Sequence, residues 1–417
     1  MLSMRFRYER HFLDNGLEVI IHPDPNSKIA VFNLLYKVGS KDEIPGKTGL
    51  AHFFEHLMFG SSKNVPVFDR ALERVGGNCN AFTSPDITNY YMTLPSSNLE
   101  TAFWLESDRM LQLTLVEKTI ETQRKVVLEE FKQRYLNQPY GNTWHLLRPL
   151  AFHSHPYRWP TIGETTEDIV NYTADDVWDF YKTHYAPNRA ILAVGGGVDP
   201  KEVLKLAEKW FGSIPASAQA RLESTKEKEQ KERRALTFQA NVPTDVLYKT
   251  YKMPGKGEDG YLEADLITDY LGFGKSSPME QKLVKGRKEI ASAGAYILGS
   301  QDPGLLVFST RMDPSSSSEE GEAILDEFLA DFLKQGIDDH SLQKIKNQGE
   351  AMKTYESIQL INRMMNLAMY ANMGHPDLYW DEFDRKSSIG TDQVMDWANR
   401  LLRPEKSSVL HYQKEIS

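Results

Sequence analysis

Apolar positions recur along this chain at two spacings. Leu17-Glu18-Val19-Ile20-Ile21 and Ala190 to Val194 are short apolar runs of strand length. Val116 to Leu136 repeats at helical spacing, with a stripe through Val116, Ile120, Val127 and Phe131 and with Val126 alongside. Leu50, Phe53, Phe54, Leu57 and Met58 mark a shorter, largely buried helix, entered past Gly46 and Gly49 and stopped by Gly60-Ser61-Ser62. A further helix is delimited by Asp199 as N-cap, Pro200 as its first residue and Gly212 after Phe211. The pattern then repeats in outline. Leu236 to Ala240 and Val246 to Tyr251 echo the opening strands, and a helix follows that ends Asp269-Tyr270-Leu271-Gly272. Laid under the first helix, Asp269 falls beneath Glu55, Tyr270 beneath His56 and Leu266 beneath His52.

Between the two halves, Ser213 to Arg234 holds Pro215 and the mixed-charge run Lys226 to Arg234, which reads as a solvated linker or strand lead-in. The expected organisation is therefore α+β, with two tandem homologous domains, residues 1–220 and 221–417, each a sheet covered by helices. Only the first copy carries chemistry.

That chemistry sits in His52-Phe53-Phe54-Glu55-His56. A helix turns about 100° per residue, so residues four apart point the same way and two imidazoles can share one metal ion. Glu55, beside the second imidazole, is placed to take a proton from water. Two neutral nitrogen ligands, an open position and a base are the equipment of a zinc hydrolase. The same histidines could be ordinary core residues, but a buried pair needs partners for its ring nitrogens, and a metal supplies one. A third protein ligand is needed. Glu130 falls three residues after Val127 and four after Val126, on the apolar face of its helix, whereas Glu129 aligns with Thr122, Lys125 and Lys132. A carboxylate on an apolar face requires a charge partner.

His-x-x-Glu-His followed 74 residues after His56 by Glu130 resembles the pitrilysin, insulysin and mitochondrial processing peptidase family. Val38 to Glu43, Thr48 to His52, Gly76 to Thr83 and His155-Pro156-Tyr157 resemble that family's other landmarks, so the likeness spans essentially the whole chain. It implies that each domain is a mainly antiparallel sheet flanked by helices. It also implies one zinc ion per chain, held by His52, His56 and Glu130, with Glu55 as general base. Asn80 and Ala81 would lie on an edge strand that pairs with the substrate backbone, and Phe82 would help form a substrate pocket. One position departs from the pattern: Gln123 stands where the family often has Glu, seven residues before the zinc Glu. An amide there cannot accept a proton.

Full-length relatives have four such domains closing around a peptide, whereas this chain has two, so the resemblance implies a homodimer, or a heterodimer with a zinc-less relative. The longer members also carry an Arg and, seven residues on, a Tyr that face the scissile peptide. Val284 and Ala291 take those places here, and neither can donate a side-chain hydrogen bond. A related subunit is expected to supply the pair. Two other readings exist within the superfamily: a non-catalytic structural subunit, which would be expected to have lost some of His52, Glu55, His56 and Glu130, and a presequence-processing subunit of an organelle.

A net charge of −9 argues against nucleic acid as a main partner. No apolar run is long enough for a membrane-spanning helix, and Met1 to Arg10 has no apolar core of a signal peptide. With one cysteine, Cys79, the chain can form no internal disulfide; a cytoplasmic protein with a half-buried structural thiol is expected. Gly195-Gly196-Gly197 lacks the spacing of a phosphate loop. His153 and His155 read as turn residues rather than a second metal site. Met364, Met365 and Met369 read as helix core, and Ser315 to Ser318 as the lead into a helix N-terminus.

Overall fold

The computed structural model describes residues 5–220 and 224–415. Both the stretch Met1 to Arg10 and the expected 220/221 boundary fall partly outside them. The chain is α+β, with two sheets among the described residues. Strands β1 (Glu9–Phe12), β2 (Glu18–Pro23), β3 (Ile29–Tyr36), β4 (Asn78–Thr83), β5 (Thr88–Pro95) and β6 (Ala190–Gly196) form the first, in the order β1-β2-β6-β3-β5-β4. Strands β7 (Arg234–Ala240), β8 (Val246–Met253), β9 (Ile290–Leu298), β10 (Gly304–Met312) and β11 (Ser407–Lys414) form the second, in the order β7-β11-β8-β10-β9. Without β1 the two orders are the same. Each sheet has a single parallel pair, β2 with β6 and β7 with β11, among otherwise antiparallel neighbours. The duplication expected from the echoing strands is thus present in full topology, and β4 and β9 are corresponding edge strands.

The compact units are not two contiguous halves. One comprises Met1–Phe131, Trp159–Ser224 and Thr354–Trp380, the other Lys132–Arg158, Thr225–Lys353 and Asp381–Ser417. Each half of the sequence therefore lends one segment to the other's unit. In the first unit, the lent helix Leu360–Asn372 buries Met364, Leu367 and Ala368 against Ile20, Val31, Leu35, Ile191 and Ala193. These strand residues alternate along β3 and β6, and so mark one face of the sheet. On the other face Phe32 meets Phe103 of helix Leu99–Gln112 edge-on at 5.0 Å. With both faces covered, β2, β3 and β6 are buried nearly end to end. Of the methionines expected in a helix core, Met364 is buried and Met369 packs partly buried against the same cluster, in the core of the preceding half's sheet, whereas Met365 is half-buried outside it. Gly195 and Gly196 make that docking possible: a Cβ at Gly195 would run into Met364 Sδ, and one at Gly196 would lie 2.9 Å from Leu360 Cδ2.

In the second unit the lent helix Thr143–Ala151 packs Leu147 with Val242, Val246, Leu410 and Tyr412. The charged run is not uniformly solvated there. Glu227 accepts the backbone N–H groups of His153 (3.0 Å), Ser154 (2.7 Å) and His155 (2.9 Å), and pairs with Lys252 at 3.0 Å. Burial would push its carboxyl up, but these N–H groups and the ammonium outweigh it and hold the pKa at about 2, below the usual 4.5. A depressed carboxyl stabilises the fold above its ordinary pKa, and that contribution is lost as pH falls towards the folded value. Stability is expected to decline between about pH 4.5 and pH 2, and Glu227→Gln to flatten this decline in acid-unfolding curves while costing about 2–3 kcal/mol at neutral pH. His155 is buried, set edge-on to Tyr157 at 4.2 Å between ring centres and 3.5 Å from Asp302, which is a structural role. Ser317 caps helix Ser318–Gln335 reciprocally with Glu320, as expected of that serine-rich lead. No helix among the described residues is long and apolar enough to cross a membrane.

Candidate metal centre

Helix Leu50–Met58 starts from Gly49 at φ 92°, a left-handed conformation that glycine adopts without steric cost. Its first N–H groups have no partner within the helix. The buried carboxylate of Glu43 supplies two, accepting from Gly49 at 2.7 Å and Ala51 at 2.8 Å. Burial pushes this carboxyl well above its ordinary pKa, against the pull of the two N–H bonds. Phe53, Phe54, Leu57 and Met58 are buried, with Phe54 stacked on Phe180 at 5.4 Å and Tyr185 at 4.9 Å. The half-buried face carries His52, Glu55 and His56.

The imidazoles lie 4.8 Å apart between ring centres. Glu130 Oε2 is 3.7 Å from His52 Nε2 and 3.3 Å from His56 Nε2. Three donor atoms, one from each residue, lie within 4.8 Å of one another, and no other group of three or more His, Cys, Asp or Glu among the described residues converges in this way. Ligands about 2.1 Å from a tetrahedral zinc are about 3.4 Å apart, so the two measured His–Glu separations match the edges of such a site. Two nitrogens and one carboxylate oxygen are also a donor set that zinc accepts while keeping a position open.

Glu130 comes from helix Glu117–Phe131, which continues into a wider turn, Lys132–Leu136. Ile120, Arg124, Val127 and Phe131 are its buried face; Glu130 is half-buried and Glu129 exposed. Val116 and Val126, expected on the apolar stripe, are instead 53% and 46% exposed. The buried line runs through Arg124 instead, whose guanidinium donates to the carbonyls of Ile169, of Val170 at 2.8 Å and of Tyr172 at 2.8 Å. Tyr172 in turn donates its hydroxyl to the carbonyl of Thr48, and Asp168 accepts the hydroxyl and, at 3.1 Å, the N–H of Thr48. This chain of contacts ties the Glu130 helix to the loop that launches the histidine helix. It fixes two ligand sources against each other, and apolar periodicity gives no sign of it. Gln123 is half-buried, two turns before Glu130.

β4 borders the site as the edge strand of its sheet. Its last residue, Thr83, donates its hydroxyl to Glu55 Oε2 at 2.5 Å. Ala81 shares the Thr83 face by the period of two, and its N–H is accepted by Asn80 Oδ1 at 2.8 Å. Phe82 is not brought to the site. The pleat turns it to the opposite face, where it packs against the cluster of Leu35 and Met364. Cys79 lies 3.7 Å from Asp69, and burial first, then that carboxylate, pushes its thiol up to about 12, so it has no nucleophilic character.

Among the described residues the second copy has no comparable centre. Helix Tyr261–Gly272 also starts from a left-handed glycine, Gly260 at φ 93°. With the two glycines superposed, Glu263 lies under His52, Leu266 under Glu55 and Ile267 under His56. This register differs by three residues from the one read off the helix ends, because the second helix is about one turn longer. Neither register restores a histidine pair. Asp265 and Asp269 of this helix are held by Lys386 at 2.6 and 3.2 Å.

Fold and site together define a duplicated α+β chain with a His/His/Glu cluster on one copy and none on the other. Residues 18–159 match the family model described as Insulinase (Peptidase family M16), and residues 171–348 the one described as Peptidase M16 inactive domain. The zinc protease PqqE of Helicobacter pylori is 32% identical over 346 residues, 82% of this chain and 78% of the relative. The chain belongs to peptidase family M16. The crystal structure of a protease from Helicobacter pylori matches at a TM-score of 0.93 and 28% identity, covering 98% of this chain and 100% of that one. The periplasmic protease PqqL from Escherichia coli shares the fold at a TM-score of 0.79 and 20% identity; the match covers 98% of this chain and 48% of that one.

Proposed function

We propose that this chain is a zinc-dependent endopeptidase, with one zinc ion held by His52, His56 and Glu130 and with Glu55 as general base. The observation that carries the reading is the convergence of three ligand atoms on one point next to Glu55. Zinc bound there supplies Lewis-acid polarisation of the scissile carbonyl and lowers the pKa of water. Glu55 takes a proton from the attacking water and passes it to the leaving amine. The outer edge of β4, at Asn80 and Ala81, pairs with an extended peptide as an added strand, which gives affinity from the main chain and loose side-chain specificity.

The residues in the places of the family's Arg and Tyr fit a two-subunit enzyme. Val284 lies in the turn Met279–Val284 and Ala291 on β9, and neither side chain can stabilise an oxyanion. A second subunit, a zinc-less relative, supplies that pair. The non-catalytic reading is weaker, because His52, Glu55, His56 and Glu130 are all present. The test is cleavage of internally quenched peptides by the zinc-loaded chain, alone and mixed with a zinc-less family member. Cleavage that a chelator stops and zinc restores is expected. Cleavage indifferent to chelation, or none under either condition, would overturn the reading, and full activity of the isolated chain would overturn the partner proposal.

A further inference from the structure

We propose that Thr83 is the positioning residue for Glu55 and couples its orientation to the strand that takes the peptide. This rests on the reading of Glu55 as the base. Glutamate has three rotatable side-chain bonds, so a base on a helix surface is aimed only if something holds it. Thr83 Oγ1 does so, donating to Glu55 Oε2 at 2.5 Å. A hydroxyl bonded to one carboxylate oxygen restrains where that oxygen lies and so narrows the orientations open to Oε1. The donor is itself stiff. Threonine is β-branched, so its hydroxyl direction follows the backbone closely.

That backbone is well braced. Thr83 pairs with Thr88 at the closed end of the β4–β5 hairpin. The turn between them is locked by Ser84, whose N–H donates to Ile87 O at 2.8 Å and whose hydroxyl accepts from Asp86 N at 3.2 Å and Ile87 N at 3.1 Å. Thr88 is anchored by its own hydroxyl to Val38 O at 2.9 Å. Asn80 and Ala81, the proposed peptide-pairing residues, are three and two residues away on the same strand. A peptide that adds to this edge therefore pairs with the element that sets the base, so its register relative to β4 is also its register relative to Glu55.

The test compares Thr83→Val, which keeps the shape and loses the donor, with Thr83→Ser, which keeps the donor. In crystals of the zinc-loaded protein, the Glu55 carboxylate is expected to turn away in Thr83→Val and to return in Thr83→Ser, with zinc content unchanged in both. In peptide kinetics, Thr83→Val is expected to lower kcat by about 10–100-fold, the size of a modest misplacement of a reacting group, with KM nearly unchanged and with Thr83→Ser restoring most of the loss. Glu55 held in place without the hydroxyl, or a loss confined to KM, would overturn the inference. Wild-type cleavage by Glu55→Gln would instead overturn the reading of the base, and the crystallographic comparison would still decide whether Thr83 aims that side chain.

Discussion

Glu55→Gln is expected to keep its zinc and to cleave peptides about 10²–10⁴-fold more slowly than the wild type, the usual contribution of a positioned general base. The amide has the shape of the carboxylate and can still accept the Thr83 hydroxyl bond, so the local geometry survives. What it cannot do is take a proton. The ligand atoms come from His52, His56 and Glu130, so the metal should remain. The measurement is steady-state cleavage alongside metal content of the same preparation. Unchanged cleavage would assign the proton transfer to another group. Loss of zinc together with activity would make Glu55 part of the metal-binding set.

Glu130→Gln has the opposite signature, with zinc lost first and activity lost in consequence. Glu130 Oε2 faces both imidazoles at 3.3 and 3.7 Å and brings the one negative charge of the ligand set. A neutral amide is a poor ligand for zinc. Changing groups that merely support a ligand typically costs 10–100-fold in metal affinity, so losing the ligand itself should cost more than about 100-fold. Fold stability without metal should change little, because the Glu130 helix is fixed by Ile120, Arg124, Val127 and Phe131. Glu129→Gln is the matched control: same helix, adjacent residue, exposed side chain, and no expected change in zinc affinity. Zinc titration of the stripped proteins separates the two. Equal affinity in Glu130→Gln would remove Glu130 from the site.

Legibility in the sequence followed the range of the interactions. His52, Glu55 and His56 could be read because one helical turn brings them together, and Glu130 because helical period separates it from Glu129. The duplicated strands could be read for the same local reason, although Phe82, one residue from Thr83 and therefore on the other face of β4, could not be placed before the strand's orientation was known. What stayed hidden depends on contacts distant in sequence. Nothing in the periodicity of Leu360–Asn372 says which sheet it covers, so the exchange of segments between halves was out of reach. Thr83, Glu43 and Arg124 look like ordinary polar residues until the fold brings each against its partner. Arg124 completes the buried line that Ile120, Val127 and Phe131 mark, a place periodicity does not assign to a charged residue, because its guanidinium satisfies three carbonyls there.

The central claim is the zinc site itself, and anomalous diffraction at the zinc edge from crystals of the zinc-loaded chain tests it most directly. The account predicts one peak per chain, bonded at about 2.0–2.2 Å to a ring nitrogen of His52, a ring nitrogen of His56 and a carboxylate oxygen of Glu130, with Glu55 outside bonding distance. A peak elsewhere, or no peak between these three side chains, would contradict it.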